Sequence, residues 1–338
     1  MSFWRGEVPR GEADGAFRAA LLRLLDRDLA GTEKLLADAA REDSDDLDAY
    51  LSLAALYRSR GEIGRAIRIH QNLLLRSDLP AERRDEVLSG LATDFQRGGF
   101  LQRAIAAFEE VLERNPSDPR ALRALRELHG DARDFKRAME MGRRLARATG
   151  EEGHRDEAAL WVRSAGAAQA EGRNDDARKD LRRALRRDPE CIDAWVALGS
   201  LEVERGKDKK ALAAWAKVPG IDRRAGPRVY PQLEASYAAI GRPRDFESWL
   251  RGLIEERPSD GCARLALVRC LLARGDAADA EIEARQILEA DPTSLAGHAA
   301  VLQALLGKGE TEAALKQANE LLQAMAQAGL LELREALS

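Results

Sequence analysis

Apolar residues recur at helical spacing along the chain, and glycine and proline interrupt them at regular intervals. From about Asp14 the spacing of Phe17, Leu21, Leu24 and Leu25 predicts a helix. The stretch Arg58 to Gln71, RSRGEIGRAIRIHQ, shows how one helix hands over to the next. Gly61 ends the first, because glycine tolerates the positive φ of a tight turn. Glu62 opens the second, where a carboxylate suits the positive end of the helix dipole. Ala66 is small enough for two helices to touch, and Ile67 and Ile69 add apolar surface beside it.

That joint recurs. Ala66 aligns with Thr32, Ala104, Ala138, Ala177, Ala211, Phe246, Ala280 and Ala314, at spacings of 34, 38, 34, 39, 34, 35, 34 and 34. Five residues earlier stand Gly61, Gly99, Gly172, Gly206, Gly241, Gly275 and Gly309, with Arg27 and Arg133 in the other two slots. Pro116, Pro189, Pro258 and Pro292 follow second helices, which they cannot extend. A 34-residue period with these landmarks resembles the tetratricopeptide repeat, a pair of antiparallel helices stabilised by stacking on its neighbours. The expected fold is all-α, a right-handed superhelical solenoid of about nine such repeats over residues 13–324. A loose tail over 1–12 and a capping helix over 325–338 complete it. The four and five surplus residues, near Ser77–Glu82 and Gly150–Arg155, read as longer links. The seventh unit is irregular; its first helix is expected after Pro227, with Pro231 in the first turn.

Composition agrees with this reading. Of 338 residues, 45% are hydrophobic and 33% charged, which suits a folded helical protein rather than a disordered one. A net charge of −4 argues against nucleic acid as the partner. No apolar stretch spans a membrane and no signal peptide is apparent, so the expectation is a cytoplasmic protein without direct membrane insertion, meeting the inner membrane only through a partner. Three cysteines, Cys191, Cys262 and Cys270, fit a reducing compartment. Cys262 and Cys270 lie about 12 Å apart along a helix, too far for a disulfide.

The run RSRGEIGRAIRIHQNLL, followed by the longer link, resembles the lipopolysaccharide assembly protein B family (LapB, also YciM). Asp94, Phe95, Gly99, Arg103, Ala104 and Phe108 extend the likeness, which is strongest over Leu47–Glu113 and weaker as far as Pro292. The resemblance implies a non-catalytic adaptor that regulates lipopolysaccharide synthesis by helping the membrane protease FtsH degrade the LpxC deacetylase. It implies as partners a membrane protease or an enzyme of lipid A synthesis. Two features of that family, an N-terminal membrane helix and a C-terminal rubredoxin-like metal domain with paired CxxC motifs, are not expected here. The alternative is a general scaffold for another assembly, in motility, secretion or signalling.

No catalytic constellation emerges. His70, His129, His154 and His298 fall in different repeats, so none pairs at metal-ligand spacing. The expectation is no enzyme, no cofactor and no structural metal. The arginine runs Arg143, Arg144, Arg147 and Arg182, Arg183, Arg186, Arg187 read as solvated outer helix faces. The stretch Arg58–Gln71 is denser in polar residues than packing requires. Arg58, Arg60, Glu62, Arg65, Arg68 and Gln71 are either a partner-docking patch or a salt-bridge network tying two repeats together. First helices line the inner groove, and repeat counting places Leu51, Ala55, Arg58, Ser89, Thr93, Gln96, Arg97, Arg123, Glu127, Val162, Gln169, Val196 and Ser200 there. Gln96, Arg97 and Arg123 join the candidate protein-binding set.

Overall fold

The computed structural model describes residues 28–43 and 46–330, and every regular element among them is helical. The tail, the helix from Asp14 and the Arg27 slot lie outside the described residues. The chain divides into two compact units, Met1–Ser164 and Ala165–Ser338.

The first unit contains α1 (Leu29–Glu42), α2 (Leu47–Ser59), α3 (Ile63–Leu74), α4 (Ala81–Arg97), α5 (Leu101–Arg114), α6 (Pro119–Asp131) and α7 (Phe135–Thr149). Helix α8 (His154–Ala170) follows, and the division falls within it. Aspartates start several helices: Asp46, Asp118 and Asp134 accept from the backbone amides of Ala49, Ala121 and Arg137 at 2.9, 2.8 and 3.1 Å. Pro119 follows Asp118 at the first helical position, where its missing N–H is not needed. Leu88, Leu91, Phe95, Phe108, Leu122 and Leu125 form one core cluster across α4, α5 and α6.

The second unit contains α9 (Asn174–Arg187), α10 (Ile192–Glu204), α11 (Asp208–Trp215), a single turn α12 (Val218–Ile221) and a 3₁₀ turn at Arg223–Arg228. It continues with α13 (Tyr230–Ala239), α14 (Pro243–Glu256), α15 (Gly261–Arg274), α16 (Ala277–Ala290), α17 (Leu295–Lys308) and α18 (Thr311–Gln327). Pro231 sits in the first turn of α13 as anticipated. The short α12 was not anticipated. Phe246, in the slot that elsewhere holds alanine, is buried in an aromatic group: it stacks on Trp249 at 6.0 Å between ring centroids and lies 6.1 Å from Tyr237.

All nine close-contact residues, Thr32 through Ala314, are buried. The seven joint glycines have φ between +67° and +90°, and Arg133 takes the same left-handed turn at +60°. The amide after each turn closes it, as Glu62 does on the Tyr57 carbonyl at 2.8 Å. The surplus residues are shared between links and helices: the 75–80 link has six residues, against four at 115–118 and at 150–153. Helices α4 and α8 each have 17 residues, against 13 in α2, α6 and α10, so the insertions add one turn to a first helix. An added turn keeps its backbone hydrogen-bonded internally, which a loop of equal length does not. Helix α18 runs on to Gln327, and residues 331–338 of the expected cap lie outside the described residues.

Candidate functional site

Most polar residues of the Arg58–Gln71 stretch have partners within the chain. Arg60 pairs with Glu33 of α1 and, at 3.0 Å, with Glu62. Arg65 reaches Glu33 at 3.2 Å and Glu62 at 2.9 Å, and its guanidinium carbon lies 4.0 Å from the centre of the Tyr57 ring. The Tyr57 hydroxyl donates to Glu33 at 3.0 Å. Burial alone pushes the Glu33 carboxyl up, but hydrogen bonds from Tyr57 and Arg60 and the charges of Arg60 and Arg65 outweigh it and hold the carboxyl below its ordinary value. Burial, and then the bond to Glu33, push the Tyr57 phenol up. Three helices, α1, α2 and α3, are thereby joined around one carboxylate.

Arg58 belongs to a second group. Its Nε lies 2.6 Å from Asp94 Oδ1, an ion pair whose N–H is not aligned as a hydrogen bond. The other carboxylate oxygen lies 2.7 Å from His70 Nδ1, which is also 3.2 Å from the Ala66 carbonyl. Both neighbours of Nδ1 are acceptors, so this nitrogen carries the hydrogen. Asp94 and His70 are 0% and 1% exposed. The far edge of the ring packs against Gly90, where an added Cβ would stand 2.3 Å from Nε2. No described side chain is hydrogen-bonded to Nε2. The group ties α2, α3 and α4 together.

The remaining candidates differ. Arg68 donates only to the Gly64 carbonyl of its own helix, at 3.3 Å. Gln71, Gln96, Arg97 and Arg123 have no side-chain partner among the described residues; Gln96 is half-buried and the others are exposed. Arg97 ends α4, and Arg123 lies in the first half of α6. In the repeat register they stand eight residues apart, about 12 Å along the helix axis, so they form an extended surface rather than one point. Thr93 is turned inward to the Ser89 carbonyl at 2.8 Å, and Gln169 donates to Glu204 at 2.8 Å.

Counting slots in the sequence missed three things. Glu33 and Tyr57 were not singled out, although Glu33 immediately follows the close-contact Thr32. Asp94 carries the Arg58 charge, and its distance in sequence hid the pairing. In the second unit a cleft of 360 Å³ opens beside Tyr230, Leu265, Ala266, Ala299, Ala300 and Gln303, on first helices beyond the last groove slot that was counted.

Other candidate chemistry is subdued. His129 is buried, and burial lowers its pKa; His298 bonds to Gln317 at 2.8 Å and to the Pro292 carbonyl at 3.0 Å. The three cysteines are free thiols, and burial pushes Cys270 up to about 11. Among the described residues no acidic, histidine or cysteine group is arranged to hold a metal, and no helix is long and apolar enough to cross a membrane.

The chain is similar to several known proteins. Lipopolysaccharide assembly protein B of Escherichia coli strain K12 is 25% identical over 248 residues, covering 73% of this chain and 64% of that protein. Its namesake from Haemophilus influenzae is 26% identical over 209 residues, covering 62% and 52%. The chain thus spans less than two thirds of the length of the curated relatives it matches. Among solved structures, a tetratricopeptide repeat protein from Parabacteroides merdae superposes with a TM-score of 0.44 at 12% identity, covering 87% of this chain and 98% of that one. MamA from Desulfovibrio magneticus RS-1 gives 0.39 at 19% identity over 53% and 97%. The tetratricopeptide repeat signature itself matches residues 16–291, and with the 34-residue register and its helix pairs this chain belongs to the tetratricopeptide repeat family.

Proposed function

We propose that the chain is a non-catalytic, protein-binding adaptor similar in role to LapB, holding an acidic segment of its partner on the first-helix surface of the first unit. One observation carries the reading. Gln96, Arg97 and Arg123 have no side-chain partner among the described residues, whereas Arg58, Arg60, Glu62 and Arg65 are engaged within the chain. Free guanidinium forks on such a surface suit carboxylates, which they pair bidentately. Arg68 and Gln71 flank this surface from the second helix. The likeness to LapB supplies the partner class: the LpxC deacetylase, delivered to the protease FtsH.

The test is a binding measurement with purified deacetylase and the cytosolic part of the protease. The expected result is saturable binding to one of them, weakened at least tenfold by Arg97→Glu with Arg123→Glu while thermal unfolding is unchanged. Binding to neither, together with capture of an unrelated assembly, would replace this reading with that of a scaffold for other machinery.

A further inference from the structure

The residue after each close-contact position has one job throughout the chain: it touches the first helix of the following repeat. Glu33 bonds Tyr57 and Arg60 of α2. Ile67 packs on the cluster of Leu88 and Leu91 in α4, and Ile105 joins Leu122 and Leu125 of α6. Met139 meets Leu160 of α8. Arg178 pairs with Glu202 of α10 at 2.5 Å, and Leu212 enters the cluster of Tyr230 and Leu233 in α13. Glu247 and Glu281 pair with Arg274 of α15 and Lys308 of α17 at 2.5 and 2.7 Å. The ninth member of the series is Leu315, and it is 66% exposed.

A second slot behaves the same way. Seven residues further along the second helix, Leu112 and Ile254 are buried, and Leu288 lies against α17, where a Cβ on Gly297 would meet it at 2.8 Å. The ninth counterpart, Leu322, is 45% exposed. On the neighbouring first helix, Arg58 forms an ion pair forward to Asp94 and Gln169 bonds forward to Glu204, whereas the equivalent Leu306 is 58% exposed. The described residues thus end on a stacking face with apolar side chains in the stacking positions. Apolar groups clustered in this way mark an interaction surface rather than scattered exposure.

The geometry points to a second copy of this chain as the occupant, docked α18 against α18 about a two-fold axis. The stripe is self-complementary. On α18 the face carries Leu315, Ala318, Leu322 and Met325 in order, with large residues outside and alanine within. In an antiparallel pair centred at the level of Glu320, Leu315 falls opposite Met325 of the second copy, and Ala318 opposite its Leu322. Each large side chain then meets a complementary one, the small alanine receives leucine, and the two contacts repeat by symmetry. An isologous interface needs this i-to-j, j-to-i match, and no other partner sequence has to be invoked to supply it.

Sedimentation of the full chain across the micromolar range tests the proposal. The expected result is a mass that doubles as concentration rises. Leu315→Glu with Leu322→Glu should remain monomeric at every concentration, with helical content and thermal midpoint unchanged, since both positions are exposed in the single chain. Hydrogen exchange in the unsubstituted protein gives an independent readout: α18 amides should slow as concentration increases while those of α2 do not. A wild-type chain that stays monomeric throughout, as it would if its own residues 331–338 covered the stripe, overturns the proposal. So does a double variant that folds and still dimerises.

Discussion

The contact between the first and second repeats and the contact between the sixth and seventh occupy the same register positions with opposite chemistry. In the first, Glu33 follows the close-contact Thr32 and binds Tyr57, Arg60 and Arg65. In the second, Leu212 follows Ala211 and joins Trp215, Tyr230, Phe246 and Leu250 in one apolar cluster. The fold requires that the slot touch the next repeat; it does not prescribe how. Polar ties are directional and fail when one member is lost. Apolar contacts fail in proportion to the space left behind.

The largest effect is expected at the buried polar tie. Asp94→Ala removes the carboxylate that holds both Arg58 and His70, leaving a largely enclosed guanidinium without its counter-charge and a buried imidazole with only the Ala66 carbonyl. Breaking such a pair costs on the order of 4 kcal/mol, read as a lower urea midpoint. On the apolar side, Leu250 is fully buried. Leu250→Ala should cost about 3 kcal/mol through lost transfer energy and a cavity. Its damage should be confined to the second unit, which hydrogen exchange resolves by repeat. If the two substitutions weakened the same amides equally, the contrast between local ties would fail.

A steric test is next in size. Gly90→Ala places a Cβ 2.3 Å from His70 Nε2, so the ring has to move and the Asp94 bond with it. About 2 kcal/mol is the expected loss from such overpacking, and thermal unfolding measures it. The smallest effect lies at Glu33. Its carboxyl is held below the ordinary value of 4.5 in the folded state. Its contribution to stability is therefore complete above pH 4.5 and is lost as pH falls through the lower folded value. Glu33→Gln should flatten that part of the stability profile by under about 1 kcal/mol, because the ties are partly exposed. The apolar contact at Leu212 should show no such slope in the same acid range.

Much of the register was legible without coordinates. Small residues at a fixed period, and glycines five places earlier, mark where helices touch and where the chain turns, because both requirements are local and steric. Pro231 was placed for the same reason: proline is tolerated only in a first turn. The surplus residues were harder. SDLPAE and GEEGHR look like loops by composition, and 77–80 and 150–153 are links, yet most of the extra length becomes one more turn of α4 and of α8. Helix length is settled by what the far end packs against, which no local window contains. The arginines were hardest. Arg58 and Asp94 are 36 positions apart, and Arg60 and Glu33 are 27. Any of several acidic residues near a repeat boundary satisfies the charge pattern equally well. Only the rotation of each helix in the stack selects one.

On the proposed function, the dense polar run at the second joint holds repeats together, and partner binding falls to Arg97, Arg123 and their neighbours. Arg58→Ala tests it most directly, with stability and partner affinity measured on the same preparation. The expected result is a lowered urea midpoint, because Asp94 keeps a buried oxygen without its counter-charge, and unchanged affinity per folded molecule. An unchanged midpoint with weakened binding would contradict it and make Arg58 part of the docking surface.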